Sequence, residues 1–321
     1  MHIIAQQIHN HIKQAKKVMI VPHQNPDGDA IGAATAFLEY LAELNKEIVI
    51  FCVTPVTDKL HFVPHSTTVI TDPAIFKDSS VDTIVVLDSG DLRYAGIATH
   101  LVNHPATIIN IDHHATNERF GSYNLVNTTA ASTTEILFHF FRANSIRINP
   151  RMATSLLTGL TTDTGNFSNA ATSVSALAVG GELIRSGGNY NLINNAVIRN
   201  KSVESLRLWG KALQRLTKEP DYNMVYTYVT RQDLIEHKVD DQETEGIANF
   251  LNNLENPGIV LVLKETANGM VKGSLRTTRN DIDVSLLAKQ LNGGGHKKAA
   301  GFTVGSTIEE VVKKIKILLK A

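Results

Sequence analysis

The sequence predicts an α/β protein of two domains: a parallel-sheet domain over its first two-thirds, then a smaller α+β domain. Three observations point there. The 321 residues exceed what one compact core usually holds. Apolar, β-branched runs alternate with helical periodicity as far as residue 186, the pattern of a parallel sheet covered by helices. From Asp221 the pattern changes to closely spaced strands with a hairpin signal.

Taken in order, residues 2–16 read as an amphipathic helix, and VMIVPH (18–23) as a short buried strand ending in a polar loop. Residues 29–44 have helical periodicity and EIVIFCV (47–53) reads as a strand. DTIVVLDSG (82–90) and ATIINIDHH (106–114) are continuous apolar runs, each ending in acidic or histidine residues. Runs without polar alternation suit strands covered on both faces. Helices are predicted near 131–144, 150–162 and 172–186, with a break at SGGNY (186–190). A Rossmann-like parallel sheet is the expected result.

Residues 199–218 read as a charged helix that ends before Pro220. The expected domains are therefore a catalytic domain over 1–197, a linker helix over 198–220 and a smaller domain over 221–321. In the last, YNMVYTYVT (222–230), GIVLVLKET (258–266) and GMVKGSLRT (269–277) read as strands, with Asn268-Gly269 as a hairpin turn. Residues 243–253 and 283–291 read as helical.

Composition narrows the function. Lys plus Arg and Asp plus Glu both number 31, so the formal net charge is zero. Proteins that coat long nucleic acid usually carry a basic excess, so an anionic substrate is expected to be small and held locally. The single cysteine, Cys52, excludes an internal disulfide and a cysteine-rich zinc site. It sits in an apolar run and reads as a small buried hydrophobe. The N-terminus has no signal-like apolar run, and no segment approaches the ~20 apolar residues of a membrane span. A reduced cytoplasmic setting away from membranes is expected.

The chemistry is concentrated at strand ends, where ligands of open parallel sheets collect. HQNPDGD (23–29) places His23, Asp27 and Asp29 after the first strand. Read alone, it divides evenly between a metal site and an Asx-turn with a helix cap. LDSGD (87–91) offers Asp88, which alone is as readily a helix cap. IDHH (111–114) is sharper: Asp112, His113 and His114 are consecutive at the end of an apolar strand. Charge is costly to bury there unless it is paired or metal-bound. TDTGNF (162–167) adds Asp163. Many carboxylates, few imidazoles and no thiolate suit Mn²⁺ or Mg²⁺ better than a structural zinc. The ligands are too many for one ion, and two ions about 3.5–4 Å apart are the usual arrangement for phosphoryl hydrolysis.

These motifs, in this order and spacing, resemble the DHH phosphoesterase superfamily, named for the triplet at Asp112-His113-His114. GSLRT (273–277) and GGGHKKAAG (293–301) resemble that family's associated substrate domain, so the likeness spans almost the whole chain. Within the superfamily the chain is most similar to the nano-RNase group, bifunctional oligoribonucleases that also dephosphorylate 3′-phosphoadenosine 5′-phosphate. The resemblance implies that His23, Asp27 and Asp88 hold one Mn²⁺, and Asp29, Asp88, His113 and Asp163 the other, with Asp88 bridging. It implies that Asp112 orients a histidine and that His114 faces the substrate phosphate. It also implies a homodimer.

In the second domain, Gly293, Gly294 and Gly295 would let backbone N–H groups approach an anion, His296 would add a donor and Arg276 would grip a phosphate. A glycine turn between helix and strand is the plainer reading of the three glycines alone. Residues 264–298 carry seven Lys and Arg against three acids in a chain of zero formal net charge. A crevice closed by a second domain would favour substrates of two to five nucleotides. Competing readings are a phosphodiesterase of linear or cyclic dinucleotides, an inorganic pyrophosphatase, and a non-catalytic nucleotide sensor. Membrane-bound relatives of the first kind carry extra N-terminal segments, whereas this chain begins directly before the catalytic domain.

Overall fold

The computed structural model describes residues 2–199, 201–244, 246–255 and 257–320, with the side chains of Ile198 and His296 outside the description. The chain divides into two compact units, Met1–Asn200 and Lys201–Ala321. No helix among the described residues is long and apolar enough to cross a membrane.

The first unit runs α1 (His2–Gln14), β1 (Lys17–Pro22), α2 (Gly28–Glu43), β2 (Glu47–Ile50), β3 (Thr83–Leu87), β4 (Thr107–Asp112) and β5 (Tyr123–Val126). Then follow α3 (Thr133–Ala143), α4 (Pro150–Asp163), α5 (Val174–Arg185) and the short α6 (Tyr190–Ile193). The sheet order is β2-β1-β3-β4-β5, parallel throughout. Side-chain alternation explains the continuous apolar runs. Val18, Ile20, Val85 and Leu87 enter the core against the helices, while Met19, Val21, Ile84 and Val86 enter a second core on the opposite face. From β1 the chain moves outward to β2, then returns to place β3 on β1's other side. That reversal opens a crevice at the carboxyl ends of β1 and β3.

The second unit runs α7 (Val203–Gln214), β6 (Thr217–Glu219), β7 (Met224–Val229), α8 (Arg231–His237), α9 (Ile247–Phe250), β8 (Ile259–Glu265) and β9 (Val271–Arg276). It ends with α10 (Val284–Lys289), β10 (Gly294–His296), β11 (Ala299–Val304) and α11 (Ile308–Leu318). The sheet order is β10-β11-β9-β8-β7-β6, with β7 and β8 parallel and the other pairs antiparallel. One face packs Leu261, Leu275 and Phe302 under α10 and α11; the other packs Val260 and Val262 against Leu208, Ala212 and Leu234. Within the 198–220 stretch expected to link the domains, helix occupies Val203–Gln214, and Thr217–Glu219 pair with β7. Leu208 and Ala212 of α7 are fully buried in this unit's core. The helix expected over 243–253 is the single turn α9 flanked by 3₁₀ turns. Asn268-Gly269 turns the β8–β9 hairpin, with Gly269 at φ +73°.

Candidate metal centre

β1 ends at Pro22 and delivers His23 to the crevice. Asp27 caps α2: its Oδ1 accepts from the backbone N–H groups of Asp29 at 3.0 Å and Ala30 at 3.1 Å. Capping and ligation are compatible, since a carboxylate offers several lone pairs and the capping Oδ1 also faces His23 Nε2. Asp29, in the first turn of the same helix, is fully buried.

Asp88 follows β3 with φ +58°, and its N–H donates to Ile111 O at 3.0 Å. Left-handed backbone is uncommon for a residue with a Cβ, although aspartate tolerates it better than most. This turn re-aims the carboxylate so that its two oxygens face different neighbours. Oδ2 lies 3.6 Å from His23 Nε2, and Oδ1 lies 3.6 Å from His113 Nε2. His23 Nε2 is 3.7 Å from Asp27 Oδ1, and His113 Nε2 is 3.4 Å from Asp163 Oδ2 at the end of α4.

Among the described residues, three sets of side chains bring ligand atoms within 4.8 Å of one another: His23–Asp27–Asp88, Asp29–His113–Asp163, and Asp88–His113–His114. Bonds of about 2.0–2.2 Å put adjacent donors around one cation roughly 3–3.6 Å apart, so the spacing suits coordination. The charges call for it. Burial, then the charge of Asp27, pushes Asp88 up to about 6. Burial, then Asp88, pushes Asp29 up to about 7. Burial, then Asp29, holds Asp163 well above the usual carboxylate range. Divalent cations would relieve this repulsion. Burial alone would lower the His23 imidazole, but the close Asp27 carboxylate and the charge of Asp88 outweigh it and lift it to about 9. The pocket draws in positive charge, and the donor set fits metal ions.

Asp112, the last residue of β4, is fully buried. Its Oδ1 lies 2.7 Å from His114 Nδ1, and its Oδ2 accepts from Asn117 Nδ2 at 2.6 Å. It therefore holds the His114 ring. Burial lowers the His114 imidazole, but Asp112 and then Asp88 outweigh it and raise it to about 9.

The structure also brings in residues that sequence reasoning passed over. The backbone N–H groups of Thr133 and Thr134 donate to Asp29 at 2.6 and 3.0 Å. The Thr133 hydroxyl donates to Asp88 at 2.9 Å. Tyr94 stacks on the His23 ring, with centroids 4.9 Å apart. Gly159 admits the Asp29 carboxylate: a Cβ there would lie 2.4 Å from Asp29 Oδ1. The one available signal was S-x-x-E at Ser132 and Glu135, which marks the start of α3.

In the second unit, Arg276 at the end of β9 lines a pocket of about 340 Å³ with Lys264, Lys272, Ser274 and Asn249. Its Nε donates to Asn249 Oδ1 at 3.0 Å, and burial lowers its pKa. The three glycines are not in this lining. Gly294 and Gly295 belong to β10, paired with β11. A Cβ on Gly293 would lie 2.1 Å from Gly301 O, and Gly295 combines φ +136° with 2.6 Å to Ala299 O. Two of the three thus have a structural reason to be glycine. Register places His296 opposite Ala299, and Ala299 opposite Arg276; the side chain of His296 lies outside the described residues.

A carboxylate-rich centre able to hold more than one cation, set at the switch point of a parallel sheet, defines the class: a metal-dependent phosphoesterase. Residues 17–160 match the DHH family, N-terminal domain, and residues 221–321 match the DHHA1 domain. The chain belongs to the DHH family of phosphoesterases, hydrolytic enzymes acting on nucleotides. It is 29% identical over 300 residues to the bifunctional oligoribonuclease and PAP phosphatase NrnA of Thermus thermophilus, covering 93% of this chain and 87% of that one. It is 23% identical to the cyclic-di-AMP phosphodiesterase GdpP of Bacillus subtilis, over 98% of this chain but 49% of that protein. A crystal structure of an exopolyphosphatase-related protein from Bacteroides fragilis superposes with a TM-score of 0.91 at 27% identity, covering 100% of this chain and 98% of that one.

Proposed function

We propose that the protein is a two-metal hydrolase of short oligonucleotides, about two to five residues long, and of 3′-phosphoadenosine 5′-phosphate, releasing mononucleotides. The observation that carries this reading is Asp88, whose left-handed backbone turns one carboxylate oxygen toward His23 and the other toward His113. In this reading His23, Asp27 and Asp88 hold one ion, and Asp29, Asp88, His113 and Asp163 hold the other. Manganese is the proposed metal, with magnesium weaker, because imidazoles accompany the carboxylates. The ions, when bound, would activate water and draw charge from the phosphoryl oxygens.

The chain's own groups do the rest. Asp112 fixes His114 through Nδ1, and the held ring is proposed to face the substrate phosphate. Arg276, with Asn249 aligning its Nε, is proposed to grip a substrate phosphate in the pocket of the second unit. Binding energy from such a phosphate contact is the proposed source of length selection. His296 and Gly294 are proposed to contribute to the same contact. A reduced cytoplasmic setting and a homodimer complete the proposal, the latter tested by light scattering.

The whole chain with Mn²⁺ is incubated with di- to decanucleotides, 3′-phosphoadenosine 5′-phosphate, cyclic dinucleotides and pyrophosphate. Mononucleotide release from short linear substrates and from the bisphosphate, stopped reversibly by EDTA, supports the reading. Turnover confined to cyclic dinucleotides replaces it with the activity that the name of the Bacillus relative carries. Full activity in EDTA refutes the metal centre.

A further inference from the structure

Helix α3 begins at the metal centre. Ser132 caps it, its Oγ accepting from Glu135 N at 3.0 Å. Thr133 and Thr134 are therefore the first two helical residues, whose N–H groups have no partner inside the helix. Both donate to Asp29, and the Thr134 hydroxyl adds a third bond at 2.7 Å. The positive end of the helix stabilises that carboxylate in its charged form. Thr133 does a second thing. Its backbone holds Asp29 while its side chain holds Asp88, through Oγ1 to Oδ1 at 2.9 Å. All four residues are nearly or fully buried.

The two bonds have different consequences. A carboxylate's terminal torsion is broad and nearly two-fold, so Asp88 needs a local contact to keep Oδ2 toward His23 and Oδ1 toward His113. The Thr133 hydroxyl is such a contact. It takes one lone pair of Oδ1 and leaves the other for a cation on the His113 side. Asp29 is held independently by two backbone N–H groups and needs no side chain from position 133.

We propose that Thr133 is a positioning residue that fixes the Asp88 carboxylate relative to Asp29 and thereby sets the affinity of the ion on the Asp29–His113–Asp163 side. The inference rests on the two-ion reading above. Thr133→Val keeps the shape and the backbone bond to Asp29 but removes the donor to Asp88; Thr133→Ala removes it by a different route; Thr133→Ser restores it. Thr134→Val removes one donor to Asp29 and none to Asp88.

The test is a Mn²⁺ titration of the full chain followed by electron paramagnetic resonance, which reads stoichiometry, stepwise affinity and the spin-coupled signal of a close ion pair. The wild type is expected to bind two ions with a coupled spectrum. A hydrogen bond to a charged group is worth enough that Thr133→Val and Thr133→Ala should weaken the second ion by about ten- to a hundredfold and lose the coupled signal, with Thr133→Ser within roughly threefold of wild type. Thr134→Val should bind the second ion more tightly than Thr133→Val. Wild-type affinity and coupling in Thr133→Val or Thr133→Ala overturn the inference, as does a Thr133→Ser protein no better than Thr133→Val. A wild type that binds a single ion overturns the two-ion reading itself, which a failure of the variants alone does not.

Discussion

The loop after β1 and the hairpin of β10 and β11 carry the chain's two most conspicuous polar or glycine-rich motifs, and the structure explains them differently. In HQNPDGD, His23, Asp27 and Asp29 converge with residues from three other segments into one largely buried cluster whose carboxylates repel one another. In GGGH, two of three glycines are accounted for by backbone packing within the hairpin. A motif of ionisable groups gathered at strand ends is hard to explain as architecture, because burying those charges is costly. A glycine motif has an architectural explanation ready, and its ligand-binding role needs separate support.

The largest expected effect lies on the first side of this contrast. Asp88→Asn should lower turnover on the order of a thousandfold or more, because the carboxylate proposed to serve both ions carries several kcal/mol of charge stabilisation. Its metal content should fall while its circular dichroism stays that of the wild type. Near-normal activity with Mn²⁺ would erase the distinction drawn here.

A second effect belongs to the other unit's architecture. Asp233, nearly buried, accepts from both terminal nitrogens of Arg215 and from the Thr230 N–H and hydroxyl. Removing one partner of such a pair costs about 3–5 kcal/mol, so Asp233→Asn should unfold the second unit more readily and leave the metal centre's ligands intact. Burial raises the Asp233 carboxyl, but Arg215 outweighs it and holds it down to about 2. A depressed carboxyl stabilises the fold above its unfolded value and loses that contribution as pH falls through the folded one. The wild type should lose roughly 2 kcal/mol between pH 4 and 2 from this pair. Trp209, the only tryptophan, lies in α7 and reports it by fluorescence.

Arg276→Ala should cut kcat/KM for dinucleotides about ten- to a hundredfold through the loss of a charge-assisted contact, with metal stoichiometry unchanged and twenty-mers nearly unaffected. Wild-type kinetics in this variant, or a wild type that degrades twenty-mers as fast as dimers, would remove the second unit from length selection. The smallest effect is the sharpest for GGGH. Gly294 has nothing within 4 Å of an added Cβ, so Gly294→Ala should fold normally. A several-fold rise in KM there would give the motif a ligand role; Gly295→Ala should instead lower the melting temperature, because its φ of +136° is strained for any side chain.

Much of this was legible in the sequence. Each acidic or histidine motif of the centre follows an apolar run that is a strand or helix, so strand ends alone point to His23, Asp27, Asp88, Asp112 and His113. The support of Asp29 was not, since its donors lie 104 and 105 residues away and two of the three are backbone groups. Nor was the left-handed turn of Asp88, because nothing local distinguishes it from an ordinary cap. β10 escaped notice because glycine disfavours strands, and β6 because three residues are too few to show alternation. The helices α8 and α11 were missed despite the capping boxes of Thr230 with Asp233 and Thr307 with Glu310, a readable signal.

The central claim is that two ions flank Asp88, and anomalous diffraction from a crystal grown with Mn²⁺ tests it most directly. Two peaks are expected on opposite sides of that carboxylate, one contacted by His23 and Asp27 and the other by Asp29, His113 and Asp163. A single peak, or two peaks of which neither touches Asp88, would contradict it.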